Sequence, residues 1–233
     1  MEFGGPGGPG RGGPVATVTG APYSAVEVRT SQQVLATGNT IQHQDKTNVY
    51  RDAQGRVRRE TTRTGPDGQS RTFVSISDPV ANTMTELDAK NKTAFTHPAK
   101  FPSASQTSSG TAPRTRTGVS DANVKRETLA AQSIHGLVAS GTRVTRTIPA
   151  GAISNSQSIE SVRETWMSDD LKVPLMTKVT DPRMGTTTME LTNVNRSQPD
   201  PSLFQVPSDY TVKQGRGGFG GRGRGPGQPP ANQ

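Results

Sequence analysis

Histidine is the first residue type to weigh, because a neutral imidazole ligates zinc and titrates near neutrality. The chain holds three, His43, His97 and His135. They lie far apart, and none has a second His, Asp or Glu at ligand spacing on a shared element. A zinc centre needs three or four preorganised ligands, so no metal site is expected and the histidines read as solvated or turn residues. Cysteine is absent, which removes thiolate nucleophiles, thiolate metal sites and disulfides together. No G-x-S-x-G occurs, nor a strand-to-helix elbow to expose a serine. The carboxylate pairs Glu160 with Glu164 and Asp169 with Asp170 fall where strand edges and turns account for them. The expectation is therefore a protein that is not an enzyme, with no catalytic residues and no cofactor.

Binding chemistry is better represented. Trp166 is the single tryptophan and alternates with Val162 and Glu164 on a strand pattern. It reads either as core or as the wall of an apolar pocket shared with Leu175, Val179, Met189 and Leu191. Met167, Met176, Met184 and Met189 fall in the same stretch, and unbranched thioether side chains adapt to irregular apolar surfaces. At the C-terminus, GRGGFGGRGRGPG places Arg216, Phe219, Arg222 and Arg224 on a glycine backbone. Such RGG-like segments bind single-stranded nucleic acid through phosphate contacts and stacking. The N-terminal GGPGGPGRGG has the same composition, so paired flexible spacers explain both, and nucleic acid ranks last among the partners.

Composition says what must position these residues. The hydrophobic fraction is 29% and aromatics are 4%, with much of the remainder Thr, Ser, Arg and Gln. Branching at Cβ makes Thr and Val favour pleated backbone over helix. Residues 1–20 and 214–233 are rich in Gly and Pro without apolar periodicity, too poor in apolar surface to offset the entropy of ordering. They are expected to be disordered tails around one β domain over residues 21–213. The net charge is +8, which suits nucleic acid, anionic lipid or an anionic polymer and chooses among none of them. No apolar run approaches the ~20 residues of a spanning helix. Met1-Glu2-Phe3 leads straight into Gly and Pro, without the apolar stretch of a signal peptide.

Along the chain, alternating runs closed by turn residues mark strands. Val26 and Val28 share a face. Val49 and Val57 flank the turn Asp52-Ala53-Gln54-Gly55, and Gly65-Pro66-Asp67-Gly68 makes a second turn before Val74 and Ile76. Met84 and Leu87 lead through Asp88-Ala89-Lys90-Asn91 to Thr93, Phe95 and His97. From Pro98 to Asp121 the pattern stops, as in a long mobile loop. Val144 and Ile148, the Trp166 run, and Leu175, Thr177 and Val179 follow, with Asp181 to Gly185 turning into Met189 and Leu191. Asp200, Pro201, Phe204, Val206, Pro207 and Tyr210 read as an irregular clasp laid on the sheet. Eight or nine strands joined by short turns predict a single curved antiparallel sheet, mainly β with little helix.

PYSAVEVRTSQQVLATGNTI, NVYRDAQGRVRRE and ISDPVANTMTELD resemble the N-terminal half of a family of exported bacterial proteins of acidobacterial type. RTIPAGAISNS, RETWMSDDLKVPLMTKVTDPRMGTTTMELTNV and PDPSLFQVPSDY resemble its second half. Trp166, the following S-x-x-L-x-V-P, the D-P-x-x-G turn and P-D-P-x-x-F-x-V-P-x-x-Y are also similar to the last hairpin and closing segment of LolA/LolB-like lipoprotein-carrier domains. That resemblance implies a half-barrel around an apolar cavity that receives acyl chains, and a periplasmic or secreted location. The functional expectation is an extracytoplasmic protein that binds a lipid-like or amphipathic ligand, or an envelope protein partner. The alternatives are a structural or interaction module with a filled core, and nucleic-acid binding through the tail.

Overall fold

The computed structural model describes residues 17–65, 67–102 and 121–215, apart from the side chain of Asp121. Residues 1–16 and 216–233 of the expected tails, most of the expected loop at 98–121, and Pro66 of the second turn lie outside the described residues, whereas residues 17–20 are described and Gln214 belongs to a strand.

Strands β1 (Tyr23–Val34), β2 (Thr40–Arg51), β3 (Val57–Thr64), β4 (Ser70–Asp78), β5 (Thr83–Asp88) and β6 (Thr93–Pro98) form the first half. After a short 3-10 turn at Asp121–Asn123 come β7 (Val124–Ile134), β8 (Leu137–Ile148), β9 (Ile159–Ser168), β10 (Val173–Asp181) and β11 (Gly185–Asn195). A second 3-10 turn at Pro201–Phe204 precedes β12 (Thr211–Gln214). All belong to one 12-stranded sheet in the order β12-β6-β5-β4-β3-β2-β1-β11-β10-β9-β8-β7. Meanders on either side are joined where β11 pairs with β1. The mainly β, single curved sheet expected from the sequence is what forms. Two points differ. The strands number twelve rather than eight or nine, because β7 (VKRETLAAQSI) and β12 (TVKQ) carry no apolar alternation. One pairing, β12 with β6, is parallel.

The tight turns repeat one device. Asp78 accepts from the backbone N–H of Val80 and Ala81, and Asp88 from that of Lys90 and Asn91. The Ser168 hydroxyl accepts from Leu171 N–H. Each turn ends in a left-handed residue, Asn82, Lys92 or Lys172. Short polar side chains bonding the backbone ahead of them stabilise that geometry. The Asp52 turn is a deeper version: its carboxylate is fully buried and accepts from Gln54 N–H, Arg56 N–H and Arg56 Nε.

Curvature is visible in contacts that a flat sheet would forbid. Arg51 on β2 donates to the carbonyl of Leu171 in the β9–β10 turn, although β1, β11 and β10 intervene. Its guanidinium also donates to the Ala21 carbonyl and stacks on the Tyr23 ring, 4.7 Å from the centroid. His135, in the β7–β8 turn, lies 2.8 Å from Glu190 on β11, with β8, β9 and β10 between. These turns fold over the sheet and deliver Leu171, Ile134 and Leu137 to a core with Tyr23, Ala25, Val49, Ala139, Leu175 and Leu191. A second, smaller core of Ile76, Leu87 and Ala94 is capped by Val206 and Tyr210 of the closing segment.

Candidate functional site

Register decides which side chains can meet, since neighbours on a strand point to opposite faces. On β3 to β6, Arg58 pairs with Ile76, Ile76 with Thr85, and Leu87 with Ala94. This is the face that the closing segment covers. Asp200 caps that segment by accepting from Ser202 N–H at 2.8 Å, Phe204 is buried, and Arg58 donates to the Leu203 carbonyl. Lys92 anchors the far end, 3.0 Å from Asp209.

The opposite face carries Arg59 beside Ser75, Thr61 beside Phe73, and the row Ser75, Glu86, Phe95. Among the described residues nothing lies on it. It forms an open groove of about 1060 Å³ that runs to the Gln69–Arg71 end of β4 and to the β5–β6 turn, Asp88 to Asn91. Phe73 is 56% exposed and Phe95 40% exposed on this surface. Two aromatic rings left in one concave surface make this groove the candidate site.

The groove's electrostatics are mixed. Arg59 is tied to Glu27 at 2.7 Å and Arg71 to Asp67 at 2.8 Å, while Lys90 stands on the rim. Burial raises the Glu86 carboxyl above its ordinary value, with His97 opposing the shift. Asp88 is held below its ordinary value by the Asn91 side chain and by the backbone N–H groups of its own turn. No group of three or more metal-ligating side chains occurs among the described residues. His43 sits beside Asp45 on an exposed strand, and His97 faces Met84.

The residues expected to line an apolar pocket fall elsewhere. Leu175 and Leu191 are buried in the larger core, and Trp166 packs against that core. Met189 pairs with Thr177, and Val179 with Thr187, so Met189, Leu191 and Val179 share a face. Trp166 pairs with Met176, and Met176 with Glu190, which puts the indole on the other face. It lies over Gly141, whose absent Cβ would stand 2.8 Å from the indole nitrogen. None of these five residues lines the groove. Arg216, Phe219, Arg222 and Arg224 are outside the described residues.

Sequence reading passed over Phe73, Phe95, Arg59 and Glu86 as site residues. A signal was present: Phe73 adjoins Val74 and Phe95 adjoins Ala94, so both faces of β4 and β6 are apolar where a strand with one wet face should alternate.

No protein-family model and no curated protein sequence matches the chain. Among solved structures it is similar to MucB in complex with MucA(peri), at 11% identity and TM-score 0.44 over 83% of this chain and 57% of that one. It is also similar to a LolA superfamily protein from Nitrosomonas europaea, at 10% identity and TM-score 0.35 over 81% and 91%. A third similar structure is the Mycobacterium tuberculosis lipoprotein LppX, at 15% identity and TM-score 0.33 over 77% and 90%. The chain spans little more than half of the MucB chain it matches.

Proposed function

We propose that this protein is a non-enzymatic, extracytoplasmic binding protein that holds an amphipathic, acyl-bearing ligand in the groove of β3 to β6. One observation carries the reading: Phe73 and Phe95 stand 56% and 40% exposed in an open groove of about 1060 Å³ that Arg59, Arg71 and Lys90 also line. Apolar surface withdrawn from water contributes roughly 25 cal/mol per Å², so an acyl chain laid across both rings has a driving force. The arginines and the lysine supply donors for a polar end. The groove is long and half open, which suits a chain more than a compact cofactor. The carrier-like closing motifs of the sequence agree with this reading.

The test is native mass spectrometry with organic extraction, on full-length chain expressed into a bacterial periplasm. A stoichiometric lipid mass is expected, reduced at least tenfold in a Phe73→Asp, Phe95→Asp variant. A clean apo mass, unchanged after fatty acids and phospholipids are offered, would sink the proposal. It would leave the interaction module as the working reading.

A further inference from the structure

The β1–β2 hairpin outruns its neighbours. β11 follows β1 only as far as the pair Gln32 with Thr186, and β3 follows β2 only between Thr47 and Arg51. Beyond those points the β1–β2 pairing continues alone to Val34 with Thr40. This finger carries Val34, Leu35 and Ile41 at 65%, 38% and 55% exposure. Beside it stands the β10–β11 turn with Met184 at 69%. A Cβ on Gly185 would sit 2.1 Å from the Gln32 carbonyl oxygen, and its φ is +85°, so only a glycine lets the two tips approach this closely, beside the pair Gln32 with Thr186. Ile41 and Met184 border a shared dimple with Gln33 and His43.

An isolated two-stranded ribbon is marginal in water, and these four side chains reach neither core cluster. Folding alone would be served as well by polar residues there. Their placement indicates what they meet. Val34 pairs with Thr40 and Ile41 with Gln33, so the two aliphatic groups project to opposite faces, with Leu35 at the tip and Met184 at the side. A protein partner reads one face; apolar surface wrapped around a tip fits a medium that is the same in every direction. Behind the tip are the exposed cations Arg29, Lys46 and Lys178, none with a carboxylate partner among the described residues. The nearby carboxylates are already engaged, Asp45 by His43 and Asp181 by Arg183.

We infer that the joined tips of the β1–β2 and β10–β11 hairpins are a membrane-docking surface that dips into the interface of an anionic bilayer. Amphipathic elements bind there by apolar burial a few ångströms deep plus attraction of cations to anionic headgroups. The inference stands on different residues from the groove. The groove reaches the same end of the sheet, because Thr40 of β2, Thr64 of β3, Ser70 of β4 and Asp88 of β5 all end there. Docking would therefore turn its mouth towards the lipid.

The experiment is co-sedimentation of the full chain with sucrose-loaded vesicles, either phosphatidylcholine alone or with about a third phosphatidylglycerol. Binding to the anionic vesicles is expected. It should fall at least tenfold in Val34→Asp, Leu35→Asp, Met184→Asp, with an unchanged melting curve and any bound ligand mass retained. A Leu35→Trp variant gives a second reading, its emission moving to the blue on anionic vesicles. Phe73→Asp, Phe95→Asp should bind vesicles like the parent, which separates failure of the groove from failure of the tip. Three results would overturn the inference: no binding by the parent, equal binding by the triple aspartate variant, or a self-associated species that the triple variant abolishes.

Discussion

The two halves of the sheet put their apolar residues to different ends. Around β8 to β11, β1 and β2, apolar side chains are gathered: Val49, Leu171 and Leu175 are each 1% exposed, in one cluster with Tyr23, Ile134, Leu137 and Leu191. Across β3 to β6 only Ile76, Leu87 and Ala94 are buried together, and Phe73 and Phe95 face outward. Strand composition is part of the difference, since β3 brings one apolar residue, Val57. Turns supply another part. The β9–β10 turn is drawn over the sheet by Arg51, and the β7–β8 turn reaches Glu190. On the β3–β6 half, the closing segment covers one face and leaves the other bare. Where a strand's apolar residue ends depends in part on whether some distant turn folds onto it.

The largest test of that contrast is a pair of truncations. Leu175→Ala should cost about 3 kcal/mol, as buried leucines do when the cavity left behind only partly collapses. Phe73→Ala, at a larger and more apolar ring, should change stability by less than about 0.5 kcal/mol, because the ring is not part of a core. Urea denaturation of the two variants against the parent measures both. Equal costs would mean that the groove is covered in solution and that the two halves are not different.

The fold was legible where turns were. Asp52, Asp88 and Asp181 each announced a reversal that the structure contains, and the alternation of Val162, Glu164 and Trp166 announced β9. The polar strands were not legible: β7 and β12 carry no apolar alternation. Of the five expected pocket residues, Trp166, Leu175 and Leu191 come together at the larger core, while Val179 and Met189 are in neither cluster. Trp166, Leu175, Val179, Met189 and Leu191 are close in sequence, but register sets Trp166 on the face opposite Val179 and Met189. Leu175 lies next to the irregularity between Pro174 and Met176, where counting by twos stops working. Neither fact can be had from residue types. The groove depends on something further still, the absence of a covering element among the described residues, which only the assembled sheet reveals.

Trp166 offers a smaller test, directed at the packed half. It pairs directly with Gly141, and an added Cβ would meet Leu129 and the indole at 2.8 Å each. Overpacking of this kind costs roughly 1–3 kcal/mol. Gly141→Ala should lower stability by about 2 kcal/mol and move the tryptophan emission to the red as the ring is pushed outward. Little change in both would mean that the ring already moves freely and that the packed half is looser than the register implies.

The smallest expected effect is in the open half. Glu86 sits between Ser75 and Phe95 on the groove's surface, with Arg59 on the same face and His97 nearby. Burial raises its carboxyl above the ordinary 4.5. A raised carboxyl pKa means that the folded state holds the proton more tightly than the unfolded one. Stability is therefore lost as pH climbs from the ordinary carboxylate value through the folded one, and the loss is complete above it. Glu86→Gln should then gain stability at pH 7, by less than about 0.5 kcal/mol after allowing for the partial exposure of the group. The gain should vanish at pH 3, where both parent and variant are neutral at this position. Thermal melts across that range decide the matter. A gain of the same size at pH 3 would assign it to shape rather than charge. A loss at pH 7 would mean that Arg59 and His97 hold the carboxylate more strongly than desolvation opposes it, making the groove a polar site instead of an apolar one.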